Sequence, residues 1–466
     1  MEKEQFFGKN RIVVKASSAG RMDVMGGIAD YSGSYLLQMP IREQTTAYLA
    51  WRDDDVIRVK SSSASEAGIP DEVSIEINTL IGSKQNFTFN DAREVLLKKP
   101  GGDWAIYIIG CLLVLANEKD LQLQGADIWI DSNVPFGKGV SSSAAIEVAV
   151  MMAIASSKEL EIGRTELPIL AQKVENEVVG APCGLMDQIA SYLGKQNSLL
   201  PIVCQPCEVY SPISLPQGIN FLGIDSGIRH SVGGSSYGNV RIAAFMGYSI
   251  IAKELGLTKK DLLKAAETND WRQLPYGGYL SNISPSLFEE RFKKLIPVQL
   301  GGREFIDTYG STIDRITKVD ADSLYSVLAC TKHPIYENFR VRLFANLLRN
   351  YTATDDSEER VKCISLLGEL MYQSHSSYNE CGLGSEGTDK LVEMVRSKGA
   401  DANLFGAKIT GGGSGGTVCI LSLGEEGHNN ARIISEEYAS TTKLEIKFFE
   451  GSSNGGAYNK VESINF

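Results

Sequence analysis

The chain has 466 residues, 43% hydrophobic and 22% charged, and its 46 Lys+Arg against 57 Asp+Glu leave a net charge of −11. A chain of this length buries a sizeable core over about two or three domains, and its composition excludes both disorder and a disulfide-dense mini-scaffold. The acidic balance gives no global basic field for nucleic acid or an anionic membrane, so a bound anion must rely on local donors.

Residues 11–60 alternate between apolar and polar, and runs such as RIVVKAS and TTAYLAW predict strands. The stretch 61–100 is polar and ends in KKPGG, which predicts a loop-rich excursion around one hairpin. Residues 103–118 predict a helix. Its apolar run Ala105–Ala116 is too short to span a bilayer and reads as buried. GADIWIDSNVP (125–135) predicts a strand, followed by a glycine-serine loop, an Ala-rich helix from about 142 to 160 and a second helix over about 166–179. FLGIDSG (221–227) predicts a strand and 239–255 a helix. The stretch 265–335 carries several prolines and reads as an irregular insertion. Residues 336–380 and 386–398 read as helical, and the tail reads strand–loop–strand–helix–strand, the pattern of an α+β sandwich. The sequence MEKEQFFGKNRIVVK lacks the apolar core of an export signal, so no signal peptide is expected. Eight dispersed cysteines, several inside apolar runs, predict reduced thiols in a cytoplasmic protein. Neither Cys204-x-x-Cys207 nor the four histidines form a metal-ligand pattern.

Three glycine-rich segments stand out: Gly20–Gly33, Pro135–Ala145 and Lys408–Thr417. In the second, Gly137 and Gly139 let backbone N–H groups turn toward an anion, and Ser141–Ser143 start a helix whose N-terminus adds further donors. That chemistry suits a polyphosphate, with serine hydroxyls able to ligate Mg²⁺. A capped core helix after a tight turn fits equally well, and the spacing is not that of a Walker loop. In the third, Gly411-x-Gly413-x-x-Gly416 imitates a dinucleotide fingerprint, but the strand-like TVCILSL follows where a helix is needed. Its glycines therefore predict a close approach of backbone to a ligand or another loop. Asp187, in CGLMDQ, either caps a helix or does acid–base work.

These motifs, in this order, with WAIYIIG, ENEVVGAPCGLMDQIASYLG and DSGIRHSVGGSSYGNVR, resemble those of the GHMP small-molecule kinases, and within them the galactokinases. GRMDVMGGIADYSGSYLLQMPI and the insertion GYLSNISPSLFEERF are more similar still to the kinase part of plant L-arabinokinases. The resemblance implies a two-lobed α+β fold with the active site between the lobes. An N-terminal domain would cover residues 1–213, and a ferredoxin-like C-terminal domain 214–466 with the insertion near 265–335. It implies an ATP-dependent sugar 1-kinase acting on a small sugar and MgATP, with no nucleic-acid or membrane partner; a monomer is compatible with the sequence.

Residue by residue, Asp187 matches the carboxylate at the sugar C1 hydroxyl and Arg21 the arginine beside it. Asp30, Gly184 and Tyr237 match sugar contacts, Trp104 a residue near the adenine, and Pro135, Gly137, Lys138, Gly139, Val140, Ser141, Ser142, Ser143 and Ala144 the phosphate cradle. Ser142 or Ser143, with Glu175, matches the Mg²⁺ site. Glu175 lies at the edge of the apolar helix face, whereas Glu177 stands four residues after Lys173 as a solvated pair. The departure is at Gly27-Ile28, where galactokinases carry Glu-His beside the C6 hydroxymethyl of galactose. L-Arabinopyranose lacks that group, and a buried partner left facing its absence would cost about 1–3 kcal/mol. The departure thus points to arabinose, with galactose as the alternative and a non-catalytic sugar/ATP sensor as a further one.

Overall fold

The computed structural model describes residues 2–82, 87–228, 235–268, 270–353 and 356–466. The part of the DSGIRHSVGG segment that includes His230 lies outside the described residues.

A large mixed sheet is built from β1 (Ile12–Met25), β2 (Tyr35–Trp51), β3 (Val56–Ser61), β4 (Glu72–Glu76), β5 (Ala126–Ser132) and β6 (Ser198–Val203). The long β2 is shared. Its first half pairs with β6 and its second half with β5, while β1 runs antiparallel along nearly all of it. Strands β3 and β5 pair in parallel, and β4 closes that edge. Helices α1 (Gly102–Glu118) and α2 (Ser142–Ser157) cover the sheet, with α2 lying across β1 and β2. Both are apolar nearly all round, which a helix tolerates only when buried. Ile108, Leu112, Val148 and Met151 are fully enclosed there, each contributing about 1.5–3 kcal/mol of burial. Two shorter helices follow, α3 (Glu166–Lys173) and α4 (Met186–Leu193).

The second sheet holds β7 (Ile219–Asp225), β8 (Leu404–Ile409), β9 (Thr417–Leu423) and β10 (Phe448–Phe449), all antiparallel in the order β8-β9-β7-β10. This is the strand order of a split βαβ sandwich. Its helices are α5 (Ser235–Glu254), α6 (Val327–Ala353), α7 (Ser357–Glu380), α8 (Glu386–Lys398) and α9 (Gly424–Thr442). Helices α7 and α8 pack on β8, and α9 on β9. The chain then returns to the first sheet, where β11 (Glu462–Asn465) pairs with the start of β1.

Three expectations are corrected. The 61–100 excursion keeps the expected hairpin, β4 on β3, but around it is helical rather than loop-rich, with short helices at Ser62–Glu66 and Ile77–Ile81 and a longer one, Phe89–Leu97, capped by the Thr88 hydroxyl on the Asp91 N–H. The insertion near 265–335 is irregular as expected, with short turns, a helical stretch at Pro285–Phe292, the helix Gly302–Tyr309 and a two-residue strand pair, but it ends earlier than expected because α6 already begins at Val327. In TKLEIKFFE only Phe448 and Phe449 pair as strand. Among the described residues no helix is long and apolar enough to cross a membrane, and all eight cysteines are unbridged.

Candidate functional site

A cleft of about 110 Å³ lies where the first sheet meets the second glycine segment, and Arg21, Gly137, Gly139, Ser141–Ser143, Glu175, Gly184, Asp187 and Tyr237 line it. Arg21 is carried by β1 and is 3% exposed. Its Nε donates to Asp187 Oδ1 at 2.8 Å, and its Nη1 donates to the Gly139 carbonyl at 2.7 Å. The arginine thereby joins the carboxylate at the start of α4 to the glycine loop. Ser141 donates its hydroxyl to the other Asp187 oxygen at 2.5 Å. It sits with φ +57°, a left-handed turn, as the residue before α2, and Ser142 and Ser143, which open that helix, line the cleft. Asp187 is in the first turn of α4, not at its cap; its oxygens serve Arg21 and Ser141.

Glu175 occupies a π-helical turn, Val174–Val179, that continues α3. Such a turn widens the helix and is frequent at functional sites. It places the carboxylate, 4% exposed, with Oε1 at 3.2 Å from the Ser143 hydroxyl and Oε2 accepting from Gln188 at 2.9 Å. Burial first, and then the Asp187 charge, push its carboxyl above the usual range. Glu177 is half exposed and sits near Lys173, as its spacing implied.

Asp30 is fully buried, and neither of its oxygens has a hydrogen-bond partner. Burial pushes its carboxyl up to about 6, opposed by the Arg241 cation. It lies directly against Gly184, where an added Cβ would stand 1.3 Å from Asp30 Oδ2. Arg241 is locked to Asp314 by two hydrogen bonds of 2.8 and 2.9 Å and reaches the Cys183 carbonyl at 3.3 Å. Tyr237 closes this end, edge-on to Tyr31.

The third glycine segment packs against the second. Thr417 donates to the Lys138 carbonyl at 2.7 Å, and a Cβ on Gly416 or Gly411 would meet the carbonyl of Lys138 or Gly139 at 3.0 Å. Gly411 and Gly416 thus serve loop-to-loop contact, while Gly412 between them lines the cleft.

Other matched residues lie off the cleft wall. Trp104 is in the core beneath the first sheet, its indole N–H on the Pro70 carbonyl at 2.8 Å. Lys138 places its ammonium on the buried Asp225 of β7, at 2.5 Å, and does not point along the loop. Val140 and Ala144 are buried, the Val140 carbonyl accepting from the Arg21 N–H, and Pro135 is half-buried beside the loop. Gly27 and Ile28 form a pinned turn behind Asp30. The Gly27 N–H donates to Asp23, and its carbonyl lies 3.0 Å from His333 Nε2. A side chain at 27 would collide with the Tyr378 hydroxyl, 2.0 Å from the Cβ position. Ile28 is fully buried at φ +55°, a strained setting for a β-branched residue. The partners that sequence reasoning missed are Ser141 on Asp187, Gln188 on Glu175, Arg241 near Asp30, and the fully buried Asp23–Lys408 pair at 2.7 Å. Of these, Gln188 lay in view beside Asp187.

Two family models match the sequence: GHMP kinases N terminal domain over residues 107–195, and GHMP kinases C terminal over 353–440. The L-arabinokinase of Arabidopsis thaliana is 39% identical over 94% of this chain. The chain belongs to the GHMP kinase family. It spans 46% of that plant protein's length. A galactokinase from Chloroflexus aggregans is 28% identical over 91% of this chain and 87% of its own. The fold of this GHMP kinase matches that of Lactococcus lactis galactokinase, solved in complex with galactose, with a TM-score of 0.72 at 19% identity over 100% of this chain and 98% of the other. The likeness extends more loosely to L. major mevalonate kinase, at a TM-score of 0.51 and 13% identity over 95% of this chain and 97% of that one.

Proposed function

We propose that the chain is an ATP-dependent sugar 1-kinase that converts L-arabinose and ATP to L-arabinose 1-phosphate and ADP. The observation that carries the kinase reading is the Arg21–Asp187–Ser141 cluster, set at the junction of a backbone-lined loop and a buried, unpartnered carboxylate. The phosphates lie along Gly137–Ser143 and the N-terminus of α2, and the sugar sits toward Asp30, Gly184 and Tyr237, with the adenine toward the α1 side that carries Trp104. Asp187 accepts the C1 hydroxyl proton, or orients that hydroxyl, and Arg21 holds Asp187 ionised and offsets charge developing on the transferred group. Positioning does most of the work. The domains of this reading are 1–213 and 214–466, with β11 reaching back across the boundary.

The donor set fits Mg²⁺. Among the described residues no three His, Cys, Asp or Glu side chains cluster as a metal cage. One buried carboxylate with a hydroxyl at 3.2 Å suits an ion that takes one or two carboxylates and completes its shell with phosphate oxygens and water. Glu175 and Ser143, or Ser142 beside it, would hold it; when bound, it neutralises phosphate charge.

For the sugar, support comes from Gly27-Ile28. Position 27 has no side chain, the Tyr378 hydroxyl fills the space one would need, and Ile28 is apolar. No polar partner for a C6 hydroxymethyl is supplied from these positions. The test is ADP release with L-arabinose, D-galactose, D-fucose and glucuronate. L-Arabinose is expected to give the highest kcat/KM. A higher value for galactose makes the chain a galactokinase, and no turnover with any sugar makes it a sensor. The free thiols support a cytoplasmic setting.

A further inference from the structure

Gln188 follows Asp187 in the first turn of α4 and is fully buried. Its single amide nitrogen serves two carboxylates, donating to Glu175 Oε2 at 2.9 Å and to Glu147 Oε2 at 3.1 Å. Glu147 stands on α2 one turn after Ser143 and has no exposed surface. Three elements are therefore tied at one atom: the π turn that carries Glu175, the helix that carries Ser143, and the helix that carries Asp187. The arrangement is not explained by packing economy. Glu147 Oε1 and Gln188 Oε1 are both buried without partners, and a core built for stability alone seldom keeps such atoms.

We infer that Gln188 is a positioning residue, with Glu147 as its anchor, that sets the Glu175 carboxylate toward Ser143 for the divalent cation of the nucleotide; this rests on the reading of Glu175 given above. Glu175 has two oxygens and a flexible stem. With Oε2 held by the amide, Oε1 is left facing Ser143. The Glu147 bond uses the second amide hydrogen and stops the Gln188 side chain from turning. Because Gln188 and Asp187 are neighbours on one helix turn, the same contact fixes the metal-side carboxylate relative to the base. Outer-shell partners of this kind orient first ligands, and their loss lowers metal affinity by roughly ten- to hundredfold.

The test is Mn²⁺ binding with ADP, followed by electron paramagnetic resonance, alongside calorimetric binding of L-arabinose, for the wild type, Gln188→Leu and Gln188→Asn. The asparagine keeps the amide but is too short to reach both carboxylates, and it stands in if the leucine variant does not fold. Mn²⁺–ADP affinity is expected to fall about tenfold or more in the folded variants, with sugar affinity unchanged within about twofold and Glu147→Ala giving a smaller loss in the same direction. Unchanged Mn²⁺–ADP affinity, or a parallel loss of sugar affinity, would overturn the assignment. Glu175→Gln separates the two layers. If it weakens Mn²⁺–ADP while the Gln188 variants do not, the positioning role alone fails; if it binds as the wild type does, the metal reading of Glu175 fails with it.

Discussion

In the reading proposed above the cleft has a phosphate end and a sugar end, and the two are built by different means. The phosphate end is mostly backbone: Gly137, Gly139 and the N-terminus of α2, with the third glycine segment pressed against them through Thr417 and Gly416. The sugar end is mostly side chain: Asp30 buried without a partner, Arg241 held by Asp314, and a turn at 26–28 fixed by Asp23, His333 and Glu337. Backbone donors recognise any polyphosphate and carry little information about the acceptor. The side-chain end is where one acceptor is told from another, and it is enclosed by residues of the first sheet together with helices α5 and α6. On that reading selectivity depends on long-range assembly, whereas nucleotide binding depends on one local loop.

The comparison can be broken first at its junction. Asp187→Ala should lower kcat by about 10²- to 10⁴-fold, the range of a lost acid–base group, while ADP and sugar still bind. Substantial turnover in that variant would remove Asp187 from its role. Gly184→Ala strikes the sugar end alone. Its methyl would stand 1.3 Å from Asp30 Oδ2, and overpacking on the scale of about 1–3 kcal/mol should raise the sugar KM about ten- to hundredfold and leave the MgATP KM near wild type. If both KM values rise together, the two ends are not separable. Ser143→Ala strikes the phosphate end alone. Losing one hydroxyl worth about 1 kcal/mol should raise the MgATP KM about fivefold, read in initial rates at saturating sugar.

The same contrast governs what the sequence could reveal. Gly137, Gly139 and Ser141–Ser143 announce a loop and a helix start because their chemistry is local. Thr88 with Asp91 was a comparable signal for the helix Phe89–Leu97, hidden by the polar composition around it. The Arg21–Asp187 pair joins residues 166 apart and Lys408–Asp23 joins residues 385 apart, so no spacing rule finds them; the first was reached through family resemblance. Strand β11 escaped because an edge strand exposed at every second residue is held by its backbone pairing with β1, which leaves little apolar pattern to read. Trp104 and Lys138 show the converse, since a motif match gives position without direction. One indole turns into the core, and one ammonium turns to Asp225.

The mildest perturbation, one that needs no substitution, is the pH response of the sugar end, and it has opposite signs for activity and stability. In the proposed reading Asp30 accepts sugar hydroxyls through both oxygens only when ionised, and burial raises its carboxyl from 3.8 to about 6. From pH 7 to pH 5 the ionised fraction falls about tenfold, so kcat/KM for the sugar should drop by about that factor while the MgATP KM stays level. Stability runs the other way. A carboxyl that titrates higher in the folded chain than in the unfolded one binds its proton more tightly when folded, so stability falls as pH rises from about 4 to about 6. Asp30→Asn keeps the shape and removes the titration. Its melting temperature should exceed that of the wild type at pH 7.5 and converge with it near pH 4, while its sugar KM rises at every pH. A wild-type sugar KM that is flat between pH 5 and 7 would mean that Asp30 is not the acceptor. The buried carboxylate would then be a cost of the fold with no return at the sugar end, and the division between a backbone end and a side-chain end would lose its main support.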